Sequence, residues 1–147
     1  MSTPTVHASA VLVGARAVLI RGPSGSGKSR LVLAMLDAAA GGRLRFARLV
    51  GDDRLHLQAA HGRLLVRPAP ELAGLVELHG IGIRRLPYEP VAVVGSVVDL
   101  GAADAERLPG VDQRRAIAEG IVLPRLAVAA AVDPCRLLLG LLNTSEA

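Results

Sequence analysis

The segment Gly22-Pro23-Ser24-Gly25-Ser26-Gly27-Lys28-Ser29 constrains this chain more than any other. It matches G-x-x-x-x-G-K-[ST] at every fixed position. That pattern serves one local architecture: an apolar strand, a loop wound around an anion, and a helix that starts where the loop ends. Glycines let consecutive backbone N–H groups turn inward. The helix N-terminus aims the positive end of its dipole at the same point. Lys28 places a compact charge on the β- and γ-phosphates, and the Ser29 hydroxyl ligates Mg2+. The flanks agree, since Ala17–Ile20 is apolar and Ser29–Ala40 is rich in Leu, Met and Ala until Gly41-Gly42 stops it. Residues Gly22 through Ser29 therefore predict binding of a nucleoside triphosphate with Mg2+, without naming a phosphoryl acceptor.

Composition sharpens this. Lys28 is the one lysine among 17 basic residues; the rest are arginines. They face 13 acids, for a net charge of +4, and they are scattered, so a solvated surface is a better expectation than a nucleic-acid face. Aromatics make up 1% of the chain (Phe46 and Tyr88), too few for base-stacking platforms. The single Cys135 excludes an intrachain disulfide or a cysteine metal cluster and suits a reducing compartment. No run of about 18 apolar residues predicts a membrane span. The N-terminal segment lacks the pattern of a signal peptide, so a cytoplasmic protein is expected. With 51% apolar residues over 147 positions, the chain reads as one domain, 1–147.

Along the chain, Val6–Val13 and Arg16–Ile20 read as strands joined by Gly14-Ala15 into a hairpin. Arg43–Val50 leads into a strand ending at Gly51-Asp52-Asp53. Leu55–Gln58 and Arg63–Val66 read as a second hairpin, Leu75–Leu86 as mixed, and Val91–Leu100 as a buried strand. Ala102–Arg107 reads as a turn of helix and Val111–Glu119 as helical. Ile121–Val132 contains a strand, and Pro134–Leu142 is a terminal helix. The class is α/β, with a strand-rich mixed sheet around a P-loop core.

Two further places hold acids where chemistry would need them. Asp52 and Asp53 end an apolar strand. Phosphoryl transfer needs a carboxylate to hold Mg2+ or to take the nucleophile's proton. Adjacent strand side chains point to opposite faces, which predicts different roles for the two. A plain Asp-Asp turn into Arg54 explains the spacing equally well. Glu77 lies in the apolar stretch Val76–Ile83, with glycines at 80 and 82 that would let backbone approach a ligand. A half-exposed strand with Glu77 in water is the even alternative.

Taken together, the GPSGSGKS loop, the LVGDD strand end and the ELHGIGIRRL segment resemble the catalytic domain of the HPr kinase/phosphorylase family. His7 in VHASAVLVGARAVLI takes the place of that family's leading histidine. Glu77–Ile83 resembles its E-[IV]-R-G-x-G-I signature, with His79 in place of Arg. Glu106-Arg107-Leu108-Pro109 resembles its D-R-L-G stretch. The resemblance runs from His7 to about Leu126. It implies a P-loop sheet of the phosphoenolpyruvate-carboxykinase-like type and an ATP- and Mg2+-dependent kinase that phosphorylates a serine of the phosphocarrier protein HPr.

By the same resemblance Lys28 and Ser29 bind phosphate and Mg2+, and Glu77 is a second Mg2+ ligand. Asp53 is the proton acceptor of the kinase direction. Asp52 supports it near Lys28 or His7, His7 helps to orient the acids, and Arg107 stabilises charge on the transferring phosphoryl. The family's V-R-P-G-R-N loop, associated with dephosphorylation, has no clear match here; Leu123-Pro124-Arg125-Leu126 runs into an Ala/Val stretch. A regulatory kinase acting as a homo-oligomer, hexameric by resemblance, is the expectation. A small-molecule P-loop kinase and a non-catalytic ATP-sensing module are the alternatives.

Overall fold

The computed structural model describes residues 4–147. Strands β1 (Ser9–Val13) and β2 (Arg16–Arg21) form the expected hairpin, turning at Gly14 with φ +64°. The first strand is shorter than its apolar run: Val6 makes only an isolated bridge to Leu55. Helix α1 (Lys28–Ala40) follows the Gly-rich loop, and β3 (Ala47–Gly51) returns antiparallel to β1. Strands β4 (Leu55–Ala60) and β5 (Arg63–Pro68) form the second hairpin. The mixed stretch is itself a two-stranded hairpin, β6 (Leu75–Leu78) with β7 (Gly82–Arg85). Strand β8 (Ala92–Leu100), strand β9 (Arg115–Ala118), strand β10 (Ile121–Val128) and helix α2 (Pro134–Asn143) complete the chain.

The main sheet runs β3-β1-β2-β8-β10-β9, with β5 also joining β8. The β2–β8 and β8–β10 pairs are parallel and the others antiparallel, which makes the sheet mixed. Alternation along each strand divides the core into two layers. On one face Val11, Val18, Ile20 and Val98 pack against Leu31, Met35 and Leu138 of the two helices. On the other, Ala10, Leu19 and Val97 pack against Leu55, Leu64 and Val66 of the β4–β5 hairpin. Burial on both faces is why β2 and β8 read as unbroken apolar runs.

Two expected helices are absent. Residues 102–107 form turns. Of Val111–Glu119, only Asp112–Arg114 makes a 3-10 turn, and Arg115–Ala118 is β9. Arg-Ala-Ile-Ala favours helix by intrinsic propensity, but pairing with β10 places Ala116 and Ala118 in the core and leaves Ile117 outward. Tertiary pairing overrides a weak local preference. Among the described residues no helix is long and apolar enough to cross a membrane.

Candidate active site

The carboxyl end of β2 delivers the Gly-rich loop, and α1 begins at Lys28 behind an N-cap, Gly27, at φ +100°. Glycine alone holds that left-handed turn cheaply. Gly27 offers no side-chain cap and the first turn carries no acid, so no side chain competes with an anion for the helix's leading N–H groups. Lys28 is buried, and its Nζ donates to the carbonyls of Gly22 at 2.8 Å and Pro23 at 3.1 Å. Those bonds draw the loop around its own ammonium. The Ser26 Oγ is buried in the loop without a hydrogen-bond partner. A helix start without a side-chain cap, an orphaned hydroxyl and a sequestered ammonium fit a triphosphate.

Strand β3 brings the acids to the loop. Asp52 is buried and accepts the Ser29 hydroxyl at 2.9 Å on each carboxylate oxygen. It also accepts the Ser9 hydroxyl at 2.6 Å on Oδ1. The Ser29 proton is thereby held on Asp52, which turns the Ser29 lone pairs away from the acid and leaves them for a cation. The two residues together fit Mg2+ held beside a phosphate. Asp52 shares the cleft with Lys28 and His7, but its own hydrogen bonds go to Ser29 and Ser9, while Lys28 bonds to loop carbonyls and His7 pairs with the neighbouring acid.

Asp53 points elsewhere; both acids lie beyond the last strand residue, Gly51, so it is the local turn and not strand alternation that separates them. Asp53 is half exposed and lies 3.2 Å from His7 Nε2. Its backbone sits at φ +73°, a conformation that costs a non-glycine residue about 1 kcal/mol or more. Such strain is kept where the surroundings over-determine it, and here it turns one acid outward while the other stays on Ser29.

These groups share a cleft of about 640 Å³. His7, Ser9, Lys28, Ser29, Asp52 and Asp53 form its floor, and Glu77 faces it from the β6–β7 hairpin. Glu77 is exposed, and among the described residues no three acids, histidines or cysteines converge as a ready-made metal cage. Mg2+ at this site would draw on Ser29, Asp52 or Glu77, and phosphate oxygens. Arg107 lies outside: it is exposed in the connection after β8 and does not line the cleft. Ser9 belongs to no motif. Its only sequence signal is a hydroxyl in an otherwise apolar strand.

Beneath the loop lies an ion network. Asp99 of β8 accepts Arg21 Nε at 2.7 Å and Nη2 at 2.9 Å, and Arg125 Nε of β10 at 2.5 Å. Arg125 also grips Asp104 with two bonds, at 2.7 and 3.0 Å. Burial alone pushes the Asp99 carboxyl up, but the Arg21 and Arg125 hydrogen bonds and charges outweigh it and hold the group below its ordinary value. The Arg125 guanidinium is driven above its ordinary value by Asp104 and Asp99. Arg21 directly precedes Gly22, so the network ties the root of the phosphate loop to the sheet.

Strand, Gly-rich loop and helix, with an acid after β3 on the loop's serine, define a mixed α/β domain laid out around that loop. No family model matches the sequence. The chain is 31% identical over 140 residues to an HPr kinase/phosphorylase of Geobacillus thermodenitrificans, covering 86% of this chain and 42% of that protein. It is 37% identical over 81 residues to an HPr kinase/phosphorylase of Mycoplasma mycoides, covering 55% and 24%. In three dimensions it matches the HPr(Ser) kinase/phosphatase of Coxiella burnetii with a TM-score of 0.75 and 25% identity, over 96% of this chain and 95% of that one. The chain is thus homologous to HPr kinase/phosphorylases in sequence and in fold, and it spans less than half the length of these curated relatives.

Proposed function

We propose that this chain is a cytoplasmic serine kinase that uses ATP and Mg2+ to phosphorylate HPr, in a regulatory role in phosphotransferase signalling. The observation that carries this is the division of labour between the paired acids: Asp52 on Ser29, Asp53 beside His7 and open to the cleft. Lys28 and the loop N–H groups would bind the phosphates. Mg2+, held by Ser29 with Asp52 or Glu77, would neutralise charge on the transferring group. Asp53 would take the proton of the incoming serine, because an alcohol is a poor nucleophile until a positioned base relieves it of that proton. His7 would hold the Asp53 carboxylate in place. In reverse phosphorolysis Asp53 would return the proton. A hexamer, with HPr as the protein partner and no nucleic acid or membrane, completes the proposal.

The test incubates the protein with labelled ATP, Mg2+ and HPr. Phosphoserine on HPr is expected. Asp53→Ala should keep nucleotide affinity and lose about 10²–10⁴-fold in transfer. Folded protein that binds nucleotide but leaves HPr unphosphorylated would refute the kinase and favour an ATP-sensing module.

A further inference from the structure

Ser9 is 1% exposed, one of few buried polar residues among those described, and its hydroxyl bonds to both of the paired acids. It donates to Asp52 Oδ1 at 2.6 Å and accepts the Asp53 N–H at 3.4 Å. Resting on the kinase reading above, we infer that Ser9 is a positioning residue that sets the geometry of both acids for the Mg2+-bound nucleotide.

The asymmetry of the bonds supports this. Ser29 Oγ lies 2.9 Å from each Asp52 oxygen, so that hydroxyl does not choose between them or fix the tilt of the carboxylate plane. Ser9 touches Oδ1 alone, and at shorter range. It therefore selects one rotation about the Cβ–Cγ bond, with Oδ1 shared between Ser9 and Ser29 and Oδ2 bonded to Ser29 alone. The same oxygen meets the N–H of Asp53, whose backbone stands at φ +73°. One hydroxyl thus joins two acids whose side chains diverge. It lines the cleft beneath them, with its single proton committed to Asp52. Outer hydrogen bonds of this kind orient metal-binding groups, and removing one typically costs about 10–100-fold in metal affinity or activity.

The experiment titrates Mg2+ against binding of a fluorescent ATP analogue, with phosphotransfer to HPr measured in parallel. Ser9→Ala should leave Mg2+-free nucleotide affinity unchanged. It should raise the Mg2+ midpoint about tenfold or more and lower kcat with little change in the KM for HPr. Ser9→Thr, which keeps the hydroxyl, should restore the midpoint. A parental midpoint in Ser9→Ala would overturn the inference. So would equal losses in the Ala and Thr variants, or parallel loss of Mg2+-free and Mg2+-dependent binding. If Ser9→Ala fails to melt cooperatively, Ser9→Cys preserves the shape with a weak donor and is judged by the same midpoints. A parent that gains nucleotide affinity with Mg2+ but never phosphorylates HPr refutes the kinase reading, while the titration still decides the role of Ser9.

Discussion

Replacing Asp99 by Asn keeps the side chain's shape and removes its charge. Arg21 and Arg125 would then converge on a neutral amide whose NH2 group faces one guanidinium. The Asp99 and Arg125 side chains are 17% and 13% exposed and Arg21 is 37% exposed, so the penalty lies between that of a buried broken pair and a surface one. About 2–3 kcal/mol is expected. Unfolding entropy of about 2.1 cal/mol/K per residue makes that a fall in Tm of about 6–10 °C for a chain of 147 residues.

The effect has a pH signature. Because the folded carboxyl is held below its ordinary 3.8, its contribution is present above that value and lost as pH falls through the folded pKa. Thermal melts of parent and variant should therefore differ most near neutrality and converge in acid. A gap under 2 °C at neutral pH, or one that does not change with pH, would refute the view that this network carries stability to the base of the loop.

Two further outcomes test the loop. Lys28→Arg preserves net charge, but a planar guanidinium does not fit where Nζ sits 2.8 Å from the Gly22 carbonyl; turnover should fall about 10²-fold, measured as phosphoserine formation. Gly22→Ala would set a Cβ 3.0 Å from Leu100 Cβ and 3.1 Å from the Leu100 carbonyl oxygen, neither of which can swing aside. Denaturant melts should show a loss of about 1–3 kcal/mol, with weaker nucleotide binding by fluorescence titration.

The strand–loop–helix unit was legible in the residues because each local preference agrees with it: apolar β2, glycines at the turns, helix formers after Ser29. The hairpins around Gly14 and Gly62 were legible for the same reason. Val111–Glu119 misled because alanine favours helix in isolation, whereas β10 offers a pairing edge that no local pattern reveals. Among the site residues, Lys28 and Ser29 announce themselves by spacing, whereas the Asp pair stands out from a plain turn only with the family resemblance. Arg107 matched a family stretch, yet its loop leaves it outside the cleft.

What the sequence determined by itself is the phosphate loop and the presence of two successive acids at a strand end, since both depend on residues adjacent in the chain. Which acid serves which partner was settled by the tertiary structure alone. Antiparallel pairing of β1 with β3 sets Ser9 beside Asp52 across 43 residues, and the positive φ of Asp53 turns it to His7. Parallel pairing of β2 with β8, and of β8 with β10, joins Arg21, Asp99 and Arg125 under the loop across distances no short motif spans. Such contacts depend on strand register, and register follows from how both faces of the sheet are buried.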